Sequence, residues 1–265
     1  MTKIVDHNRF EVFFSESIYK LLKNHLYNYL LRKEAVENSL KQEAVDRVLE
    51  VGSGISPLMT QTNRVVYTDI SLTAIRTLQS TCGNGWYAVA DCTRLPFKQN
   101  VFSHAICSEV LEHIPDDKAA IRELSRILKP SGQLIVTFPH RKFYFAIDDR
   151  LVQHYRRYEI SEMEKKIRAC GFIAVRIQKI FGPLEKLTMV LATVLYLFVI
   201  KIGILSSRPD KIKTSKVKNS ISLFVRLFKW ANQVYAIIVR LDAKVWPRII
   251  STVLLMKCVL RENPK

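Results

Sequence analysis

The sequence predicts an α/β fold: a mostly parallel sheet with helices on both faces. Three observations carry this reading. Short apolar runs alternate with helical stretches from Arg47 to Ile180, and strand–helix alternation builds parallel sheets. The first run, Val48–Val51, leads into Gly52-Ser53-Gly54, a turn that lets backbone approach a ligand closely. Hydrophobic residues make up 48% and charged residues 25%, which suffices for a buried core and excludes a disordered chain.

The elements follow in order. Ser17–Gln42 carries Ile18, Leu21, Leu22, Leu26, Tyr29, Leu30 and Ala35 at helical spacing, predicting one N-terminal helix able to pack over a ligand cleft. Val48–Val51, Val65–Tyr67, Trp86–Ala90, Ala105–Cys107 and Leu134–Phe138 read as strands, with helices at Leu72–Ser80 and Lys118–Leu128 between them. Lys129-Pro130-Ser131-Gly132 reads as a helix stop followed by a turn. Ser161–Ala169 is a helix closed by Cys170-Gly171, and Phe172–Ile180 is a strand. Leu187–Ile200 is nearly all apolar, and the run continues to Leu205. Ser206–Ser220 is a basic polar linker containing Pro209. Ile221–Leu241 is amphipathic, with Ile221, Phe224, Val225, Phe228, Ala231 and Tyr235 on one face, and Ile250–Leu260 reads as a strand. This divides the chain into a helical cap (1–43), a core (44–182), a hydrophobic and basic helical insertion (183–248), and a last strand with its tail (249–265).

The formal net charge of +17 is uneven. From Lys201 onward there are 14 Lys/Arg against three acids, a local net of +11, leaving +6 on the first 200 residues. Such a region suits an anionic surface or ligand. Five scattered cysteines, none in CxxC spacing, point to reduced thiols and a cytoplasmic protein, with neither a disulfide framework nor a metal site expected. Met1–Phe14 is polar, so no signal peptide is read there.

Loops at strand ends carry the chemistry. Val65–Thr68 runs into Asp69-Ile70, and Ala88–Ala90 into Asp91-Cys92. A carboxylate at the end of the second strand can accept from both hydroxyls of a ribose, and Asp91 could accept from an exocyclic amine. The fourth strand leads into Ser108-Glu109-Val110-Leu111-Glu112-His113-Ile114-Pro115. Taken singly these features are bland. Glu50 could be a solvated strand-end carboxylate, Asp69 a helix N-terminal residue, and the glycines any βα turn. Only the joint pattern separates the readings.

That joint pattern resembles the class I S-adenosylmethionine-dependent methyltransferases, in particular the group with a ubiquinone-methyltransferase-like (type 11) domain. Val48–Gly54, Tyr67–Ile70, Ala90–Phe97, Cys107–Pro115 and Ile127–Pro139 carry the likeness, which spans roughly Ala44 to Ile180. The resemblance implies a Rossmann-like seven-stranded sheet in which Phe172–Ile180 and Ile250–Leu260 are the last two strands. It implies S-adenosylmethionine as cofactor. Glu50 would help hold the methionine amine, Gly52, Ser53 and Gly54 would shape the loop beneath it, Asp69 with Ile70 would take the ribose, Asp91 with Cys92 the adenine, and Ser108 the sulfonium end. The chain departs where Ser56-Pro57 replaces the group's frequent third glycine. A nicotinamide dehydrogenase fits less well, because its loop needs that glycine and it has no counterpart to Glu109–His113.

An acceptor that must lose a proton needs a base, and histidine suits that task. His113, His140 and His154 are the catalytic candidates. His154 lies in His154-Tyr155-Arg156-Arg157-Tyr158, a stretch resembling a lid found in a subset of the family, with Arg157 and Tyr158 as substrate-binding candidates. Alternatively those two only pin the lid to the sheet. The greasy insertion, with Phe224, Phe228 and Trp230 interleaved with cations, favours an anionic membrane surface. It would be a peripheral attachment or a membrane-embedded hairpin, with a lipophilic or lipid-linked acceptor. No nucleic-acid module or stacking platform is present. Two other readings stand beside this one: a soluble small-molecule methyltransferase whose insertion is an acceptor cap or dimer element, and a non-catalytic interaction protein on the same fold. The oligomeric state is not legible from the sequence.

Overall fold

The computed structural model describes residues 21–41, 44–201 and 215–262. Seven strands form one sheet: β1 (Val48–Val51), β2 (Val65–Asp69), β3 (Trp86–Val89), β4 (Phe102–Ser108), β5 (Leu128–Pro139), β6 (Phe172–Phe181) and β7 (Val253–Leu260). Their spatial order is β3-β2-β1-β4-β5-β7-β6. The first five run parallel, and β7 inserts antiparallel between β5 and β6. The helices are α1 (Tyr27–Leu40), α2 (Leu72–Cys82), α3 (Asp117–Ile127), α4 (Ile147–Leu151), α5 (Ile160–Ala169), α6 (Pro183–Lys201) and α7 (Ser215–Val245). The α/β, Rossmann-like expectation holds.

Alternation along the strands explains the two layers. Leu49, Ala105, Cys107, Leu134 and Val136 face α3 and α5, where Leu124, Met163 and Ile167 close one core. Val48, Ile106, Ile135 and Leu255 face the other way, onto Tyr29 and Val36 of α1 and Val239 of α7. Side-chain caps set the helix starts: Ser71 accepts from the Ala74 N–H before α2, and Asp116 from the Ala119 N–H before α3.

Three local expectations are corrected. The predicted N-terminal helix is broken at Leu26, whose backbone is extended; a 3-10 turn (Lys23–His25) precedes it and α1 follows. The part of that prediction before residue 21 lies outside the described residues, as does most of the predicted linker. The Lys129–Gly132 turn is a bulge inside β5: Phe102 pairs with Leu128 but His104 pairs with Gln133. Ser131 at φ 60° loops the extra residues out. The predicted last strand starts later, because Arg248–Ile250 form a 3-10 turn first.

Strand order reverses between β1 and β4, the place where open α/β sheets bind ligands beyond the carboxyl ends. Val51 pairs with Cys107, so the glycine loop and Ser108 emerge side by side.

Candidate active site

The loop after β1 is built to pass close under a ligand. Gly52 and Gly54 lie in the left-handed region, at φ 65° and 56°. A Cβ on Gly52 would sit 2.3 Å from Val110 Cγ2, so the loop after β4 presses directly on the loop after β1. The Gly54 N–H donates to Asp69 Oδ2 and the Ser71 N–H to Asp69 Oδ1, each at 2.9 Å. Asp69 thus ties the glycine loop to the start of α2, with Ile70 half-buried beside it. The Ser53 N–H donates to the Thr68 carbonyl at 3.0 Å. Asp91 is exposed and accepts from the Thr93 N–H and hydroxyl, both at 2.8 Å, while Cys92 is buried. A left-handed glycine turn at the end of β1, flanked by the carboxylates at the ends of the next two strands, fits S-adenosylmethionine.

Glu50 has a different surrounding from the one implied by resemblance. It is buried, and its two oxygens accept from the Leu58 and Met59 N–H groups at 2.8 and 3.0 Å. The carboxylate holds the far side of its own loop in shape. Burial, outweighing those two donors, pushes Glu50 up to about 7. Glu185, in the first turn of α6, is also raised to about 7 by burial, which outweighs the Thr252 hydroxyl and Arg157. Both groups bind a proton more tightly folded than unfolded. The stability that these two groups contribute therefore falls as pH rises from about 4.5 to 7. Replacing Glu185 with Gln removes one contribution, roughly 3 kcal/mol at most for a shift of this size. The Glu185→Gln protein is expected to melt higher than the parent at pH 8 and no higher at pH 4.5. Equal shifts at both pH values would show that Glu185 does not titrate across this window.

The ends of β4 and β5 lie beside the glycine loop. The Ser108 hydroxyl hydrogen-bonds that of Thr137 at 2.7 Å, and Thr137 donates to Glu109 at 3.1 Å. Glu109 itself has φ 53°, a strained conformation of the kind that collects at functional sites. Beyond it, Glu112, half-buried His113 and His154 converge. The His113 and His154 rings meet edge to face with centroids 4.6 Å apart. His154 Nδ1 hydrogen-bonds Asp149 at 2.8 Å, which turns Nε2 toward Glu112, 3.9 Å away. The Tyr155 N–H donates to the Glu112 carbonyl at 2.8 Å, fastening the lid to the β4 loop.

Arg157 and Tyr158 have the surroundings of the second reading, in which they pin their own segment to the sheet. Both are buried. The Arg157 Nε–H lies 2.8 and 2.9 Å from the two Asp149 oxygens, and the Tyr158 hydroxyl donates to Asp117 at 2.8 Å. Two polar sites buried at the end of the sheet require such partners, and they pin the lid. His140 is likewise buried, its Nδ1 2.8 Å from the Ser251 carbonyl, and burial lowers its pKa. His140 is therefore fixed at the end of β5 by the backbone that leads into β7.

Sequence reasoning missed Asp148, Asp149 and Lys186. The Lys186 ammonium lies 2.6 and 2.7 Å from Asp148 and 2.7 Å from Asp149. A consecutive acidic pair and a cation opening a greasy helix were the available signals. An apolar surface depression bounded by Arg47, Val66, Trp86, Phe97, Val101 and Phe102 lies at the opposite, amino ends of the strands and takes no part in this site.

Residues 49–136 match the methyltransferase domain family. The chain is 27% identical over 132 residues to a ubiquinone/menaquinone biosynthesis C-methyltransferase of Haemophilus ducreyi, covering 45% of this chain and 49% of that one. It is 32% identical over 79 residues to a demethylmenaquinone methyltransferase of Mycobacterium marinum, covering 30% and 32%. The matched stretch spans less than half the length of these curated relatives. Among solved structures, the phosphoethanolamine N-methyltransferase 2 of Haemonchus contortus in complex with S-adenosyl-L-methionine superimposes with a TM-score of 0.57 at 17% identity. That match covers 96% of this chain and 60% of that one, a likeness of fold. The match of residues 49–136 to a methyltransferase domain, the strand order and the glycine loop packed beneath Val110 together support a class I S-adenosylmethionine-dependent methyltransferase.

Proposed function

We propose that this chain transfers a methyl group from S-adenosylmethionine to a lipophilic acceptor presented at an anionic membrane surface. The observation that carries the membrane half is the outer face of the helices between β6 and β7. On α6, Leu187, Leu191, Val194, Leu195 and Phe198 are exposed; on α7, Leu227, Trp230, Val234, Ile237, Ile238, Leu241 and Val245 are exposed. In each helix these positions recur every three or four residues, so each helix presents one open apolar stripe. Stripes of this size mark interaction sites. The exposed cations Arg226, Arg240, Lys244 and Arg248 accompany them, as in helices that lie in a lipid interface.

This stripe is not the face assigned from sequence. Within the described side chains, Ala231 is exposed and Tyr235 packs on Tyr27, ring centroids 5.0 Å apart, while Ala236, Val239 and Ala243 are buried. Helix α7 is apolar on two sides, one toward α1 and the sheet and one open. Among the described residues no helix is long and apolar enough to cross a membrane, and docking in the interface needs none.

In this reading Gly52, Ser53 and Gly54 cradle the methionine moiety, Asp69 and Asp91 hold ribose and adenine, and Ser108 borders the reacting end. Glu50 acts by shaping the loop. Bound cofactor supplies an activated methyl group; the chain's own part is alignment and exclusion of water. The names of the curated relatives favour a quinone-type ring among lipophilic acceptors. Incubation of the protein with labelled cofactor and total lipid extract tests this: label should enter a lipid fraction. Label confined to water-soluble products would favour the cap reading.

Docking has its own test. The chain should float with vesicles containing an anionic phospholipid at low salt. Leu191→Glu combined with Ile237→Glu should reduce the floated fraction at least tenfold without changing cofactor affinity. A chain that stays at the bottom of the gradient, or a double variant that floats like the parent, would remove the membrane surface from the proposal. A dimer that dissociates in the double variant would assign the face to a second copy.

A further inference from the structure

The Glu112–His113–His154 cluster lies in the segments after β4 and α4, and the cysteine spacing alone predicted no metal site. Its geometry differs from that of a hydrogen-bonded catalytic pair. Glu112 is fully buried, and neither carboxylate oxygen has a hydrogen-bond partner. A carboxylate buried in that way carries a large desolvation cost unless a cation or a proton satisfies it. Glu112 Oε1 lies 3.9 Å from His154 Nε2, too far for a hydrogen bond. It is the spacing of two atoms bound to one ion, since ligands about 2.1 Å from a metal stand up to about 4.2 Å apart. One ligand atom each from Glu112, His113 and His154 lies within 4.8 Å of the others, so small side-chain rotations close the set.

The surroundings complete the pattern. Asp149 occupies His154 Nδ1 at 2.8 Å, which leaves the Nε2 lone pair facing the cluster. A carboxylate behind a histidine is the usual support of a metal-bound imidazole, fixing its tautomer and orientation. Arg157 and Lys186 hold Asp149 in turn. Glu109 adds negative charge nearby, set against the positive charges of Arg32 and Arg157, neither of which reaches the Glu112 carboxylate as a hydrogen-bond partner. Two imidazoles and one carboxylate suit borderline ions of the zinc class and leave coordination positions open.

We propose that Glu112, His113 and His154 bind one divalent transition-metal ion of the zinc class, with an open position at the carboxyl end of β4 for water or an oxygen donor of the acceptor. This does not depend on the identity of the acceptor or on membrane docking.

The full chain, stripped with chelator and titrated calorimetrically with Zn²⁺, should take up one ion. Co²⁺ in its place should give ligand-field bands of nitrogen and oxygen coordination without thiolate charge transfer. Glu112→Gln is nearly isosteric. It and His154→Ala should each weaken Zn²⁺ binding at least tenfold, and Asp149→Asn should weaken it 10- to 100-fold, as loss of a supporting carboxylate does. Thermal melting and cofactor titration of each variant report whether the fold persists. Where a variant does not fold, the parent's stoichiometry and Co²⁺ spectrum decide. Failure of the parent to bind, a thiolate spectrum from the five free cysteines, or unchanged affinity in folded Glu112→Gln and His154→Ala proteins would overturn the proposal.

Discussion

Replacing Asp149 with Ala is expected to cost about 3–5 kcal/mol of folding stability, the range for removing one partner from a buried ion pair. Four donors make five contacts with this one side chain: the Ala146 N–H, His154 Nδ1, Arg157 Nε and Lys186 Nζ at 2.7–3.0 Å, with Arg157 shared between both oxygens. Burial pushes the carboxylate pKa up, but the hydrogen bonds from His154 and Arg157 prevail and hold it well below the usual carboxylate range. Without Asp149, Arg157 remains buried with only the His140 and Thr252 carbonyls, at 3.4 and 3.3 Å. Lys186 keeps Asp148, which limits the loss. The same side chain joins α4, the lid and α6, so the damage should spread to the lid before the sheet. Chemical denaturation at pH 7 measures the effect. Asp149→Asn keeps an acceptor for the Ala146 N–H and should fall between parent and Ala. A midpoint within about 1 kcal/mol of the parent for the Ala protein would mean that the network is not structural.

That network also shows where sequence reasoning stops. The strands were legible as short apolar runs because both faces of the sheet are covered; Leu49 and Val48 face opposite layers and both are buried. The placement of Gly52, Asp69, Asp91 and Ser108 was legible because each stands at or just beyond the carboxyl end of a strand, a place fixed by local pattern. The lid was not. Asp149, Arg157 and Lys186 come from α4, the lid and α6, and no periodicity links them. Arg157 and Tyr158 were noticed, but the partner of Tyr158 lies 41 residues away and that of Arg157 on a separate helix, and only these partners show how the two side chains are held. The face of α7 was misread for a similar reason. A helix apolar on two sides does not announce which side meets the protein until Tyr27 and Val239 are seen to fill one of them.

Gly52→Ala is expected to raise the dissociation constant for S-adenosylmethionine at least about 100-fold, some 2.7 kcal/mol. Two costs combine. The left-handed backbone at φ 65° charges any L side chain roughly 1–2 kcal/mol. The added Cβ would also sit 2.3 Å from Val110 Cγ2 and 3.5 Å from Val110 Cβ and Cγ1. One of two loops must move, and both border the cleft: one carries Gly54 and the other leads from Ser108 to Glu112. Gly83, at φ 67° with no atom within 4 Å of an added Cβ, supplies the control. Gly83→Ala should carry the backbone cost alone and leave cofactor affinity unchanged. Adding Val110→Ala to Gly52→Ala removes the 2.3 Å contact but not the positive φ, so the double variant should regain about tenfold in affinity, the part owed to the collision between loops. If Val110→Ala restores nothing, the contact between the loops after β1 and β4 is not what shapes the cleft, and the left-handed turn accounts for the whole effect. Isothermal titration of the four proteins, each checked for its thermal midpoint, distinguishes these outcomes.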